Sequence, residues 1–128
     1  MSPRVLVIDD EPQMRTMVRR LLEHAGYGVT EAENGLEGLA ACAAETPLLV
    51  VTDLYMPQCE GLETIMKLRR EHREVPIVAM SGGGMRGSVD QLETAVKLGA
   101  AATLVKPFRR QDLLAAVEQA LASTAAKA

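Results

Sequence analysis

The sequence predicts an α/β fold: a five-stranded parallel sheet covered by helices on both faces. Short apolar runs alternate with longer amphipathic segments along the 128 residues, as repeated βα units do. Most of the runs are apolar throughout, which is typical of strands buried on both faces. Several runs end directly in a polar residue, and parallel strands bring such ends to one edge of a sheet. We therefore expect a site at that edge.

Composition indicates one globular domain, which we take to span residues 1–128. The chain is 48% hydrophobic and 24% charged, with a net charge of −3. This charge gives no general attraction to nucleic acid or to anionic lipid, so we expect direct binding to neither. The two cysteines form no disulfide framework or metal-binding spacing, and no apolar stretch suits a signal peptide or a membrane span. We therefore expect a cytoplasmic protein.

Each of the first two βα units shows a strand-like run followed by apolar residues at helical spacing. Residues 5–8 form an apolar run, and Pro12 then follows two acidic residues, as is typical of a helix N-terminus. Residues 29–32 form a second, weaker strand before an Asn34-Gly35 turn. Apolar side chains recur at helical spacing after each strand, which predicts two amphipathic helices.

The last three predicted strands share a polar residue at their carboxyl ends. They cover residues 48–52, 76–80 and 102–105, and they are followed by Asp53, Ser81 and Lys106. A helical pattern follows each of them. The fifth helix keeps its apolar face to Leu121, whereas residues 122–128 have no core-forming pattern and are expected to fray.

Three carboxylates are expected at the predicted edge: Asp9 and Asp10 after the first strand, and Asp53 after the third. Converging carboxylates repel one another unless one is protonated or a cation joins them, and oxygen ligands of this kind suit Mg²⁺. A lysine and a hydroxyl beside them suit a phosphoryl group, and a carboxylate can itself be phosphorylated. Singly, Asp10 can be a helix cap, Lys106 a polar strand end and Ser81 a turn residue. These separate explanations do not account for the expected position of all these residues at one edge of the sheet.

The order of these motifs resembles the receiver domain of two-component response regulators. The resemblance spans about residues 3–121 and rests on motifs at four strand ends: Val7-Ile8-Asp9-Asp10-Glu11, Asp53-Leu54-Tyr55-Met56-Pro57 with Gly61, Met80-Ser81, and Val105-Lys106-Pro107-Phe108. It implies a flavodoxin-like three-layer sandwich of five βα units with strand order 2-1-3-4-5.

The resemblance also implies a magnesium site. Asp53 would be the phosphoryl acceptor and a metal ligand. Asp10 would bind Mg²⁺ directly and Asp9 largely through water. The backbone carbonyl of Tyr55 would complete the protein ligands.

Further roles follow for the residues around the phosphoryl group. Ser81 and Lys106 would hold its oxygens, with backbone groups of Tyr55 and Gly82. Ser81 and Thr103 would be the switch positions.

The resemblance implies protein partners rather than substrate turnover. The phosphoryl donor would be a phosphohistidine of a sensor histidine kinase or a phosphotransfer protein. A downstream protein would bind the face formed by the fourth helix, fifth strand and fifth helix.

The chain departs from the family pattern in two places. Thr103 stands where the family usually has an aromatic residue whose rotamer reports phosphorylation. The connection at residues 81–88 is about four residues longer than usual and rich in glycine. Its Gly82, Gly84 and Gly87 match G-x-G-x-x-G, but the next strand ends in Lys106 rather than in an acid, which disfavours dinucleotide binding. A loop that closes over the phosphoryl group is the preferred interpretation.

Two other functions remain as alternatives. A receiver-like scaffold without productive phosphorylation is left open by Thr103. A phosphatase with an aspartate nucleophile generally needs an acid two residues after that nucleophile, where this chain has Tyr55. Because no output module follows the fifth helix, the chain is either a stand-alone receiver or part of a longer protein, and its output is expected to come from binding.

Overall fold

The computed structural model describes residues 4–54, 61–82 and 88–127. Strands and helices alternate throughout these residues, as the apolar pattern predicts. The elements are β1 (Arg4–Ile8), α1 (Pro12–His24), β2 (Gly28–Ala32), α2 (Gly35–Ala44), β3 (Leu49–Asp53), α3 (Gly61–Glu71), β4 (Ile77–Gly82), α4 (Ser88–Leu98), β5 (Ala102–Lys106) and α5 (Arg110–Lys127).

The five strands form one parallel sheet in the order β2-β1-β3-β4-β5, so the predicted fold and strand order are confirmed. β3 lies in the centre, between β1 and β4, and all five of its residues are buried. β5 lies at one edge, where buried and exposed residues alternate before its half-buried last residue. The carboxyl ends of all five strands therefore meet along the same rim of the sheet.

Alternate side chains of β1 to β4 enter two separate cores, one on each face of the sheet, whereas the buried side chains of β5 enter only one of them. On one face, α1 and α5 contribute Val18, Leu22, Leu113, Ala116, Val117 and Ala120. On the other face, α2, α3 and α4 contribute Cys42, Ile65, Leu68, Leu92 and Ala95. Aliphatic packing on both faces fixes the strands from which the site residues project.

Three strands extend further than their apolar runs predict. β3, β4 and β5 include Asp53, Gly82 and Lys106, because the pairs Asp53–Met80 and Gly82–Lys106 continue the ladders to the polar ends. The N-cap of α1 is Glu11, so Asp10 does not cap this helix. The alternative of a structural cap is thereby removed for Asp10.

α5 is longer than its apolar pattern predicts. It has 18 residues and covers residues 122–127, the segment expected to fray; the fraying itself stays a prediction. Neither α5 nor any other described helix is both long and apolar enough to cross a bilayer.

Candidate functional site

The polar ends of β1 and β3 come together at the rim of the sheet. β1 and β3 are neighbours, with Ile8 opposite Thr52, so the residues that follow this pair stand side by side. Asp9 and Asp53 are buried and Asp10 is exposed, and each offers a carboxylate oxygen within 4.8 Å of the other two. The predicted convergence of the three carboxylates is therefore observed.

Lys106 joins this group from the edge of the sheet. β4 lies between β5 and β3, and the lysine side chain crosses it to reach the carboxylates. Its Nζ lies 3.0 Å from Asp9 Oδ2 and 3.3 Å from Asp53 Oδ1. Three carboxylates and one ammonium leave two negative charges in the ionised site, which a divalent cation would balance.

Burial raises the pKa of Asp53 to about 6, with the nearby charge of Asp9 adding to the shift and that of Lys106 opposing it. Burial by itself would lower the pKa of Lys106, but the charges of Asp53 and Asp9 outweigh it and raise that pKa. The ammonium is therefore fully charged near neutral pH. Asp53 is mostly ionised there but takes up a proton under mildly acidic conditions.

Asp9 is oriented by two donors, one on each carboxylate oxygen. Oδ1 accepts a hydrogen bond of 2.9 Å from the Glu11 N–H, and Oδ2 accepts one from Lys106. Asp10, in contrast, is exposed at the same rim. The group thus contains the carboxylate of Asp9, held by two donors, the buried carboxylate of Asp53 and the exposed carboxylate of Asp10, and its all-oxygen character suits a hard divalent cation.

Ser81 and Gly82 end β4 at the same rim. Ser81 is buried, and its Oγ lies 3.4 Å from the Gly82 carbonyl oxygen, which is a long contact. Thr103 is exposed on β5 and pairs in register with Ala79, so it does not join the carboxylates.

Several predicted features lie outside the described residues. They are the backbone groups of Tyr55, the second cysteine Cys59, and residues 83–87 of the glycine-rich connection with Gly84 and Gly87.

α3 approaches the site through its first residue. A Cβ at Gly61 would lie 2.2 Å from Leu54 Cα and 2.6 Å from the Asp53 carbonyl oxygen, too close for any side chain. The Gly61 N–H donates to the Leu54 carbonyl at 3.2 Å, and the Leu54 N–H donates to Met80 at 2.9 Å. Both backbone polar groups of Leu54, the residue after Asp53, are thereby hydrogen-bonded.

Sequence reasoning missed the pair Arg15 and Glu31. Arg15 Nη1 donates to the Asp9 carbonyl at 2.8 Å, and its Nε lies 2.9 Å from Glu31 Oε1. The available signal was a pair of arginines four residues apart on α1, at 15 and 19, with an acid in the neighbouring strand. That pattern is common on solvated helices and did not point to the site.

Comparison with known proteins agrees with this geometry. Residues 5–118 match the family described as response regulator receiver domain. Response regulator MprA of Mycobacterium tuberculosis strain H37Rv is 36% identical over 124 residues, which are 97% of this chain and 53% of that protein. Nitrogen assimilation regulatory protein NtrX of Azorhizobium caulinodans is 35% identical over 123 residues, 94% of this chain and 26% of that protein. The chain thus spans only a part of these relatives.

Solved structures show the same likeness. A response regulator receiver domain protein from Clostridium thermocellum superposes with a TM-score of 0.89 at 28% identity, covering 99% of this chain and 100% of that one. The receiver domain of NtrX from Brucella abortus superposes with a TM-score of 0.87 at 30% identity, covering 93% and 98%. The family match, the relatives and the architecture agree, so this chain belongs to the response regulator receiver domain family.

Proposed function

We propose that this chain is a phosphorylation-controlled switch of a two-component or phosphorelay system. Asp53 accepts a phosphoryl group from the phosphohistidine of a sensor histidine kinase or a phosphotransfer protein, and the modified domain changes its binding to a downstream protein. The strongest support is the Lys106 ammonium, which lies within 3.3 Å of Asp53 and within 3.0 Å of Asp9. A lysine brought across a strand to two buried carboxylates is suited to balancing charge at a phosphorylated aspartate.

The transfer uses the carboxylate of Asp53 as the nucleophile. One of its oxygens attacks the phosphorus of the phosphohistidine, the P–N bond breaks, and its electron pair leaves with the imidazole. With a pKa of about 6, Asp53 is mostly ionised at neutral pH and can act as this nucleophile. The chain itself mainly positions the reactants, because phosphoryl transfer asks little covalent chemistry of the protein.

The residues fit a resident Mg²⁺. Asp10, Asp53 and the Tyr55 carbonyl would bind it directly, and Asp9 largely through water, since both Asp9 oxygens already accept hydrogen bonds. The two negative charges left by the three carboxylates and Lys106 match the charge of this cation. When bound, Mg²⁺ neutralises charge on the transferring phosphoryl group.

The phosphoryl oxygens would be held by Ser81 and Lys106, with the backbone N–H groups of Tyr55 and Gly82. Ser81 is suited to this role because it lies near the carboxyl end of β4, one residue beyond the Met80 that pairs with Asp53, and its hydroxyl makes only a long contact of 3.4 Å. Gly82 continues the same strand at an exposed position.

The face formed by α4, β5 and α5 would bind the downstream partner in the cytoplasm. Val96 on α4 is 52% exposed and Val105 on β5 is 49% exposed, which gives this face apolar contact area. Ser81 and Thr103 would be the switch positions, although the exposed Thr103 has no ring to bury. Neither nucleic acid nor membrane is expected to bind this domain directly, and no external substrate is expected to be turned over.

The direct test is phosphorylation by a small acyl phosphate in the presence of Mg²⁺. We expect the wild-type chain to gain one phosphoryl group, detected by intact mass, and Asp53→Asn to gain none. Thr52→Ala, on the same strand but without the nucleophile, is the matched control and should still be modified. Modification of Asp53→Asn at the wild-type rate would refute the assignment of the acceptor.

Two measurements separate the rival functions. Steady hydrolysis of p-nitrophenyl phosphate, lost in Asp53→Asn, would favour a phosphatase. Beryllofluoride, a phosphoryl mimic, should produce amide shifts that spread from Asp53 to α4. The absence of saturable shifts in the presence of Mg²⁺ would favour a scaffold that does not respond to phosphorylation.

A further inference from the structure

Asp9 is held through every polar atom that it has. Besides the two donors on its carboxylate, its N–H donates to the Ala32 carbonyl at 3.1 Å. Its own carbonyl oxygen accepts a hydrogen bond of 2.8 Å from Arg15 Nη1. This carbonyl belongs to the peptide unit that joins Asp9 to Asp10, so Arg15 holds the planar link between two of the three carboxylates.

Arg15 is itself fixed in orientation. Its Nε lies 2.9 Å from Glu31 Oε1, and its side chain is only 14% exposed. The second oxygen of Glu31 lies 2.6 Å from Arg19 Nη1. Hydrogen bonding from Arg19 lowers the pKa of Glu31, burial opposes this effect, and Arg15 adds to the lowering. Glu31 therefore stays ionised and anchors Arg15 across the gap from α1 to β2.

We propose that Arg15, oriented by Glu31, is a positioning residue for the carboxylate group. Rotation of the Asp9–Asp10 peptide would move the Asp10 carboxylate relative to those of Asp9 and Asp53. By fixing that peptide, Arg15 sets the separation of the oxygens that a divalent cation meets. This inference rests on the proposed function, because it concerns the same cation site.

Arg19 offers a matched control. It bonds the same Glu31 and carries the same charge one turn further along α1, but none of its recorded hydrogen bonds reaches Asp9. Loss of either arginine removes one positive charge near the acidic rim, which by charge alone would favour cation binding. Weaker cation binding in the Arg15 variant alone would thus report positioning, because loss of the positive charge by itself would strengthen cation binding.

The test measures Mg²⁺ binding to the unphosphorylated protein by calorimetry, which requires no phosphoryl transfer. We expect Arg15→Ala to weaken Mg²⁺ binding about ten-fold, as loss of residues that orient metal ligands does, and Arg19→Ala to bind as tightly as the wild type or more tightly. Arg15→Lys keeps the positive charge but lacks the rigid, planar guanidinium group, so we expect a loss of Mg²⁺ affinity between those of the wild type and Arg15→Ala. Thermal unfolding of each variant verifies that it is folded, and Arg15→Lys provides the test if Arg15→Ala does not fold.

The outcomes are distinguishable from failure of the proposed function. Wild-type Mg²⁺ affinity in both Arg15 variants would overturn the positioning role and leave the switch intact. Equal weakening by Arg15→Ala and Arg19→Ala would also overturn it, because the effect would then belong to the whole ion-pair group. Absence of Mg²⁺ binding to the wild-type chain would overturn the proposed function, and this inference with it.

Discussion

The central strand β3 and the edge strand β5 contribute to one site from opposite environments. Every residue of β3 is buried, and Asp53 at its end is only 5% exposed. β5 exposes Thr103 and about half of Val105, yet the residue that follows them, Lys106, reaches the buried carboxylates. The carboxylate that we propose is phosphorylated is thus buried, and a strand partly open to solvent contacts it directly through Lys106. Four tests, from the largest expected effect to the smallest, examine this difference between the buried strand β3 and the partly exposed strand β5.

Gly61→Ala should have the largest effect, because it acts on the backbone of the buried strand's end. The added Cβ would lie 2.2 Å from Leu54 Cα, and backbone atoms on both sides must move to accommodate it. We expect a loss of about 3 kcal/mol in the free energy of unfolding, the scale of strained or overpacked core sites. Urea unfolding measures it.

Gly82→Ala is the control for this change. An added Cβ at Gly82 meets nothing within 4 Å among the described residues. We therefore expect the free energy of unfolding to stay within about 0.5 kcal/mol of the wild-type value. Equal stability of the two variants would show that α3 does not press on the end of β3.

Asp53→Asn should stabilise the metal-free protein at pH 7. The pKa of Asp53 rises from 3.8 to about 6 on folding, so the folded state holds the proton more tightly than the unfolded state. The stability that this protonated carboxyl contributes is fully present below pH 3.8 and is lost as pH rises through 6. The neutral amide of asparagine does not ionise and so avoids that loss. We expect the free energy of unfolding to increase on the order of 2 kcal/mol near neutral pH. Urea unfolding at pH 7 with a chelator measures the gain.

The gain should shrink steadily as pH falls from 6 to 3.8 and vanish well below 3.8, where the wild-type carboxyl is neutral in both the folded and the unfolded state. A gain that is constant from pH 3.5 to pH 7 would show that burial does not disfavour the Asp53 charge.

Mg²⁺ affinity should fall as pH falls through about 6, the pKa of Asp53 in the metal-free protein. A proton competes with the cation for the same carboxylate, so the apparent affinity should drop about ten-fold per pH unit below that point. Calorimetry from pH 5 to pH 8 measures the dependence. Unchanged affinity across this range would mean that Asp53 is not a ligand that must lose a proton.

Two threonines provide the smallest and most closely matched comparison. Thr52 on β3 is fully buried and its Oγ1 donates to the Asp53 carbonyl at 3.1 Å, whereas Thr103 on β5 is exposed. We expect Thr52→Ala to reduce the free energy of unfolding by about 1 kcal/mol and Thr103→Ala by less than about 0.5 kcal/mol. Both variants should still be phosphorylated. A larger loss from Thr103→Ala would contradict the assignment of β5 as the exposed strand.

The sequence was most informative where topology decides geometry. Asp9 and Asp53 end neighbouring parallel strands, and such ends must meet, so the carboxylate group follows from the apolar runs and the strand order. The contact of Lys106 with both Asp9 and Asp53 was only partly predictable, because it depends on how a long side chain crosses β4. The family resemblance indicated its role but not its two partners.

Tertiary details escaped the sequence for identifiable reasons. Arg15 and Glu31 are 16 residues apart and meet only because α1 packs beside β2, an orientation that no local pattern reports. The close approach of Gly61 to Leu54 likewise depends on how α3 enters the fold. Thr103 illustrates the converse case: the sequence identified the missing aromatic, but only the structure shows that its replacement faces solvent.

The position of Lys106 also sets the length of the signalling path. Val105, half exposed on the surface that we propose binds the partner, is joined to Lys106 by a single peptide bond, and both residues belong to one hydrogen-bonded strand. No loop or hinge lies between the Lys106 ammonium and the exposed side chain of Val105. A response carried along this strand would need no movement of a loop, and we expect it to follow the chemical step without a lag in stopped-flow or NMR measurements.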